Sequence, residues 1–149
     1  MITITLLALG GAVLAAIIGT FWYSPLTPMG RLHMHYLGFD KLSKEEQKKK
    51  IEEAKPHMWK MYVGQIAMSF LTAFAVVYIV ITSILNGIPP LYTLGFIAFI
   101  WLCFMVPIVG SAILWSNIDR KIVWKKFFSD IGANFVTVIV IAYIASLLV

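Results

Sequence analysis

The sequence predicts an all-α, polytopic membrane protein with four transmembrane helices and a short, charged cytoplasmic helix between the first two. Composition is the first observation behind this prediction. Hydrophobic residues make up 60% of the 149 residues, charged residues only 13%, and the mean hydropathy is +0.88. A soluble domain is usually about half apolar and a quarter charged. The chain therefore has too little polar surface for a water-soluble enzyme and too much apolar character for a disordered protein.

The position of the charges is the second observation. All twelve Lys and Arg lie in two segments, residues 31–60 and residues 120–126. Between residues 61 and 118 there is no Asp, Glu, Lys, Arg or His. Because one helix needs roughly 20 residues to cross the hydrocarbon core, this run must cross the membrane and return.

Four spans follow from this pattern, and the chain is predicted to be a single domain, residues 1–149. Gly87 can cap a helix C-terminus, and a helix cannot continue through Pro89 and Pro90, so the return turn lies at residues 86–90. The predicted spans are residues 2–23, 61–85, 91–115 and 127–149.

Orientation follows from the basic residues, which favour the cytoplasmic side. The loops at residues 24–60 and 116–126 carry these residues, whereas the turn at 86–90 and both termini carry none. We expect a multi-pass protein of the cell membrane with both loops cytoplasmic and both termini outside. A cleaved signal peptide is the alternative for the N-terminus, but no Lys or Arg precedes its apolar run.

The charged segment at residues 31–60 predicts a helix of its own. Ser43 and Glu46 form a capping-box pattern, and two Glu–Lys pairs follow at helical spacing, so a solvated surface helix is expected over residues 44–54. Pro56 suits the first turn of the next helix, which would run on into the second span.

Small residues and a proline mark expected helix contacts. Gly11, Ala15 and Gly19 form one stripe on the first span, which favours close packing within the four-helix unit or, alternatively, an oligomer interface. Pro107 and the following Gly110 predict a kink in the third span, either as static packing or beside a cavity.

Intramembrane polar residues are the strongest candidates for function. They occupy the cytoplasmic half of the spans and are expected to line a polar vestibule: Gln65, Ser69, Thr72, Ser111, Asn117, Asp130, Asn134 and Thr137. A carboxylate within a membrane is costly and must face protein or water, so Asp130 is the leading site. An anchoring ion pair with Lys126, or a plain interhelical hydrogen-bond network, is the alternative.

Other chemistry is not predicted. His33, His35 and His57 do not complete a four-ligand metal site, and Cys103 is a lone cysteine, so no metal and no cofactor are expected. Catalytic and nucleotide-binding motifs are absent from the sequence. The net charge of +5 needs no nucleic acid, because cytoplasmic loops facing anionic lipid explain it.

The end of the first span carries a motif, Trp22-Tyr23-Ser24-Pro25-Leu26, with Gly30 shortly after. It resembles the signature of the domain of unknown function 1761 family of small four-helix membrane proteins. The resemblance implies four helices and a membrane location, and it implies no activity. The charged insertion at 41–55 is longer and more basic than that family suggests. Physically, the aromatic pair suits the headgroup layer, and Ser24 before a proline favours an extended exit from the helix.

Two function classes remain open. The first is a small, oligomeric transport or channel-like unit in which Asp130 attracts a cation or proton, although the apolar outer halves argue against a continuous wet pore through one protomer. The second is a non-catalytic scaffold or accessory subunit that binds a partner or anionic lipid. An enzyme is not expected, because no pair of nucleophile and base is evident.

Overall fold

The structure, a computed structural model, describes residues 1–114 and 118–149, and for residues 113 and 114 the backbone alone. Within these residues the chain is all-helical and forms no strand, as the sequence predicts. The elements are α1 (Ile2–Trp22), α2 (Pro28–Tyr36), a 3-10 helix (Phe39–Lys41), α3 (Lys44–Leu85), α4 (Pro90–Leu114) and α5 (Arg120–Leu148). Helices α1, α3, α4 and α5 are each long and apolar enough to cross a membrane.

Helix α3 joins the charged segment to the second span without interruption. It contains 42 residues and is therefore about 63 Å long, roughly twice the thickness of the hydrocarbon core. Its capping box is confirmed, because the Ser43 amide donates to Glu46 Oε2 at 2.8 Å and the Glu46 amide to Ser43 Oγ at 3.3 Å. The prediction that Pro56 lies in a helix's first turn is wrong. Pro56 is exposed inside α3, where water can satisfy the carbonyl left without a partner.

Two helix starts differ from the predicted boundaries. Helix α2 was not predicted, although Thr27 caps it by accepting the Gly30 amide at 2.9 Å and Pro28 occupies its first turn. Helix α5 begins at Arg120 instead of residue 127, since the Asp119 carboxylate caps it by accepting the Lys121 amide at 2.7 Å. Both caps are short polar residues that are visible in the sequence.

The predicted cap at Gly87 is confirmed. Gly87 has a φ of 70°, its amide donates to the Ile84 carbonyl at 2.9 Å, and the Ile88 amide donates to the Ser83 carbonyl at 2.9 Å. This pair of bonds is a Schellman motif, which satisfies the last carbonyls of α3. The chain can therefore reverse within a few residues and begin α4 at Pro90.

The four spans pack so that α1 contacts α3 and α5, while α4 contacts α5 and α3. We call the end of this bundle formed by residues 22–43 and 118–126 the charged end, and the end formed by residues 85–90 the turn end. The buried core is built from small and medium apolar side chains: Ala8, Ala73, Val76, Val77, Val80, Ile97, Val138, Ile141, Ala142 and Ala145.

Gly11 allows the closest helix approach in this core. A Cβ atom at Gly11 would lie 2.8 Å from Ala73 Cβ and 3.2 Å from Ile141 Cγ2. At Gly19, however, a Cβ would meet no atom of the described residues within 4 Å, so the expected packing within the four-helix unit is not found there. The alternative of an oligomer interface at Gly19 stays a prediction. At Gly110 the nearest atom would belong to Phe127 at 3.7 Å, and α4 stays helical through the exposed Pro107.

The adjacent pair Gly10 and Gly11 offers a matched test of this packing. We expect Gly11→Ala to lower the free energy of unfolding by about 1–2 kcal/mol, because overpacking outweighs the better helix propensity of alanine. Gly10→Ala, whose Cβ meets nothing within 4 Å, is expected to be neutral or stabilising. Unfolding titrations in mixed micelles measure both, and equal stabilities of the two variants would contradict the assignment.

Candidate functional site

The last residues of α1 are bonded to α5 at the charged end. Tyr23 Oη donates a hydrogen bond to Asp130 Oδ1 at 2.6 Å, and Trp22 Nε1 donates to Ser129 Oγ at 3.1 Å. Ser129 is buried. The placement of the aromatic pair in the headgroup layer stays a prediction, and the polar atoms of the pair bind side chains of α5.

Lys126 completes this group of residues. Its ammonium contacts both carboxylate oxygens of Asp130, one helical turn away, although only 8% of Lys126 is exposed. The ammonium also lies 5.1 Å from the ring centroid of Tyr23 and 5.6 Å from that of Tyr36, which belongs to α2. A buried charge requires a partner of opposite sign, and aromatic faces stabilise a cation further. We call Tyr23, Lys126 and Asp130 the ion-pair cluster.

The chain leaves α1 through a tight turn. The Thr27 amide donates to the Ser24 carbonyl at 2.9 Å, and Thr27 Oγ1 donates to the Trp22 carbonyl at 2.8 Å. The predicted extended exit is therefore wrong. Pro25 occupies the second position of this turn, where its fixed φ is favourable.

Gly30 lets α2 fold back against this turn. A Cβ atom at Gly30 would lie 1.9 Å from the Ser24 carbonyl oxygen and 2.7 Å from the Tyr23 carbonyl oxygen, so no larger residue fits without a backbone shift. The motif and the following glycine thus form one compact unit that holds α2 over the end of α5.

His33 lies within this unit. Its ring centroid is 5.1 Å from that of Tyr23, and its buried Nδ1 atom has no hydrogen-bond partner among the described residues. Burial lowers the pKa of His33 below its usual value, and the charge of Lys126 lowers it further, against the smaller opposing effect of Asp130. The ring is therefore held in its neutral form near pH 7.

The predicted polar stripes of α3 and α5 meet at one cavity of about 570 Å³, which we call the polar cavity. All four spans contribute to its walls. From the predicted set it is lined by Gln65, Ser69, Thr72, Asp130, Asn134 and Thr137, and Tyr23, Ala15 and Gly19 line it from the α1 side. The stripes therefore converge as their spacing suggests, and the open space beside Gly19 belongs to this cavity.

Most donors in the polar cavity are already used along their own helices. Thr137 Oγ1 donates to the Ala133 carbonyl at 2.8 Å, and Thr72 Oγ1 donates to the Met68 carbonyl at 3.0 Å. Asn134 Nδ2 donates to the Asp130 carbonyl at 2.9 Å. A hydroxyl or amide that donates in this way keeps acceptor lone pairs. The polar cavity therefore offers hydroxyl and amide oxygens, which suit a cation or a hydrogen-bond donor.

Ser111, also predicted for the site, does not line the polar cavity. Ser111 is exposed, and α4 contributes Met105 and Val109 instead. Two residues along a helix rotate by about 200°, so Ser111 cannot share a face with Val109. Asn117 lies outside the described residues.

The sequence interpretation missed several members of the site. Lys126 and Asp130 are visible as a pair at helical spacing, but the contacts of Trp22 and His33 depend on tertiary packing that no local pattern reports. Among residues 1–114 and 118–149 there is no group of three or more His, Cys, Asp or Glu side chains that could hold a metal ion.

A family model described as "Protein of unknown function (DUF1761)" matches residues 6–146, nearly the whole chain. The chain belongs to the DUF1761 family. The resemblance inferred from the Trp22-Tyr23-Ser24-Pro25-Leu26 motif is thus confirmed, and it extends over all four spans. Neither the curated proteins nor the solved structures contain a match to this chain. Within this DUF1761 protein the motif residues hold α1 to α5 at the mouth of the polar cavity.

The pKa of His33 tests the arrangement of the ion-pair cluster. We expect NMR titration of histidine-labelled protein to give a pKa below the usual 6.5 or so, and Lys126→Met to raise it, because the cation is removed and the Asp130 charge stays. Lys125→Met, an exposed neighbour, is the control. The same His33 pKa in the native chain and in Lys126→Met would contradict the geometry of the ion-pair cluster.

The lowered pKa of His33 also affects stability. Since His33 binds a proton more tightly in the unfolded chain, the free energy of unfolding should fall as the pH drops through about 6.5.

Proposed function

We propose that this protein is a small transport or channel-like unit of the cell membrane that moves a proton or small cation. The observation behind the proposal is the polar cavity, in which six predicted polar residues from two spans, one of them Asp130 of the ion-pair cluster, line one space among four apolar helices. Polar groups inside a membrane protein are expensive and commonly mark ion or proton pathways. We propose further that the polar cavity opens to the cytoplasm and that both termini are outside.

The oxygen atoms that line the polar cavity favour a cation. Lys126 neutralises Asp130, so the polar cavity carries no large uncompensated charge. An entering cation finds the oxygens of Asn134 and Thr137, and it can compete with Lys126 for the carboxylate. Rings of neutral oxygens replace a hydration shell in this way in selective pores. We propose no catalytic role, because no Ser or Cys beside a His lines this cavity among the described residues.

We propose that the unit acts as a homo-oligomer. Large apolar side chains on the outer faces of all four spans are exposed in the single chain, among them Val13, Val63, Phe99 and Ile144. Lipid covers such faces as well as protein does, so small-residue contacts and polar contacts, rather than hydrophobic burial, would drive association.

Flux into liposomes tests transport through the polar cavity. We expect vesicles containing the native chain to pass protons or potassium faster than empty vesicles, and Thr137→Val to reduce this flux several-fold, since one lining oxygen is lost. Thr20→Val is the matched control, because Thr20 makes the same 2.8 Å bond to its own helix but lies on the outer side of α1. Asp130→Asn should also reduce flux by removing the carboxylate.

Equal flux in vesicles that contain the native chain and in empty vesicles would contradict the transport proposal. Equal loss in Thr137→Val and Thr20→Val would indicate a general defect instead of a role for the polar cavity. Thermal stability of each variant in detergent separates a folding defect from a loss of passage.

A second candidate function, a scaffold that binds anionic lipid, is favoured by the exposed first part of α3. This part of α3 carries Lys48, Lys49 and Lys50 at consecutive exposed positions, outside the apolar span. Basic residues near a membrane surface gain about 1 kcal/mol each from anionic lipid. This function would use the first part of α3 without using the polar cavity.

Lipid retention tests this candidate. We expect the purified native chain to retain phosphatidylglycerol over phosphatidylcholine in native mass spectra, and a variant with Lys48, Lys49 and Lys50 changed to Gln to lose most of this preference. The preference should also weaken in high salt, which screens exposed charges. An unchanged preference in the triple variant would remove the observation that favours the scaffold.

A further inference from the structure

The polar stripe of α3 continues beyond the polar cavity along one helix face. Successive members are separated alternately by four and three residues, so they stay on that face over the whole span. The members are Gln65, Ser69, Thr72, Val76, Ile79, Ser83 and Asn86. From first to last the stripe rises by about 32 Å, which matches the hydrocarbon thickness of a bilayer.

Three cavities, each open along one side to the surface of the chain, follow this stripe from the charged end to the turn end. The polar cavity contains its first three members, a second cavity of about 240 Å³ is lined by Thr72, Val76 and Ile79, and a third of about 200 Å³ is lined by Ile79, Ser83 and Asn86. Neighbouring cavities share wall residues. The polar cavity and the second cavity share Thr72, Met105 and Val138, and the second and third share Ile79.

Two side chains with polar atoms line the second cavity. Thr72 Oγ1 donates to the Met68 carbonyl at 3.0 Å and can still accept a hydrogen bond. Trp101 also lines the cavity, and its Nε1 atom is enclosed by protein and has no acceptor among the described residues.

We propose that the passage used by the transported species runs along the α3 stripe through these three cavities, and that Met105 is the gate residue between the first two. This inference rests on the proposed transport function and names its route. Met105 is flexible and apolar, so it can close the shared wall by excluding water and open it by changing rotamer.

The dimensions of the route limit what can pass. Pockets for organic ligands usually measure about 300–1,000 Å³, and the second and third cavities are smaller. A water occupies about 30 Å³ of liquid, so about eight waters would fill the 240 Å³ of the second cavity. These volumes favour a proton or a small inorganic cation over an organic solute as the transported species.

Flux through Met105 variants tests the gate. We expect Met105→Ala to raise proton or potassium flux several-fold and Met105→Phe to lower it below that of the native chain. Leu102→Ala is the control, since Leu102 lies one turn away on α4 with its side chain exposed outside these cavities. Flux that is the same in both Met105 variants overturns the gate assignment.

Silver-ion reactivity tests the route independently of flux. In a Cys103→Ala background, Ile100→Cys places a thiol in the wall of the second cavity, and Phe99→Cys places one at the same depth on the exposed face. Thiolates react with Ag⁺ and form only where water is present. We expect Ile100→Cys to react several-fold faster, and Met105→Phe to slow that reaction selectively.

The two readouts separate failure of the route from failure of the transport proposal. If the native chain shows no flux but the Ile100→Cys thiol reacts preferentially, the wetted route stands and transport does not. If the two thiols react at equal rates, the route is overturned whatever the flux.

Discussion

The buried ion pair between Lys126 and Asp130 is the constraint on which the charged end depends. A charge with so little exposure is tolerated only when every nearby group helps to compensate it. That requirement fixes the last turn of α1, because Tyr23 must donate to Asp130, and it fixes α2, because Tyr36 covers the ammonium. The tight turn and Gly30 give the chain a short path that places both tyrosines around one lysine.

The same stripe of small residues serves two physical purposes along α1. Near the middle of the bundle Gly11 removes the side chain that would separate α1 from α3 and α5, so backbones approach and gain dispersion contacts. Toward the charged end Ala15 and Gly19 remove volume where no neighbour fills it, and the space becomes part of the polar cavity. The ion-pair cluster holds the helices at that end, so the space need not collapse.

Patterns local to the sequence predict much of this arrangement. The placement of charged residues predicts the spans. The helical spacing of the polar residues predicts that Gln65 and Asn134 line one cavity, because each stripe lies on a single inward face. The prediction that Ser111 lines the cavity is wrong, because a polar residue does not by itself indicate which side of α4 faces inward. The contacts of Trp22 with Ser129 and of Tyr23 with Asp130 join residues far apart in the chain, so only the packed helices reveal them. Helix α2 was within reach of prediction, since Thr27 and Pro28 form an N-terminal cap.

The motif at residues 22–26 is best understood through what each member holds. Its aromatic residues bind α5, its proline forms the turn, and none of its contacts reaches the apolar half of the bundle. Residues 22–26 therefore set the geometry of the charged end, and other side chains line the rest of the passage. The stripe on α3 varies in polarity along its length, and its two apolar members, Val76 and Ile79, follow each other between the polar members Thr72 and Ser83. Water can cover the polar parts of such a face and not the apolar part. The few side chains that adjacent cavities share then determine whether water connects those cavities.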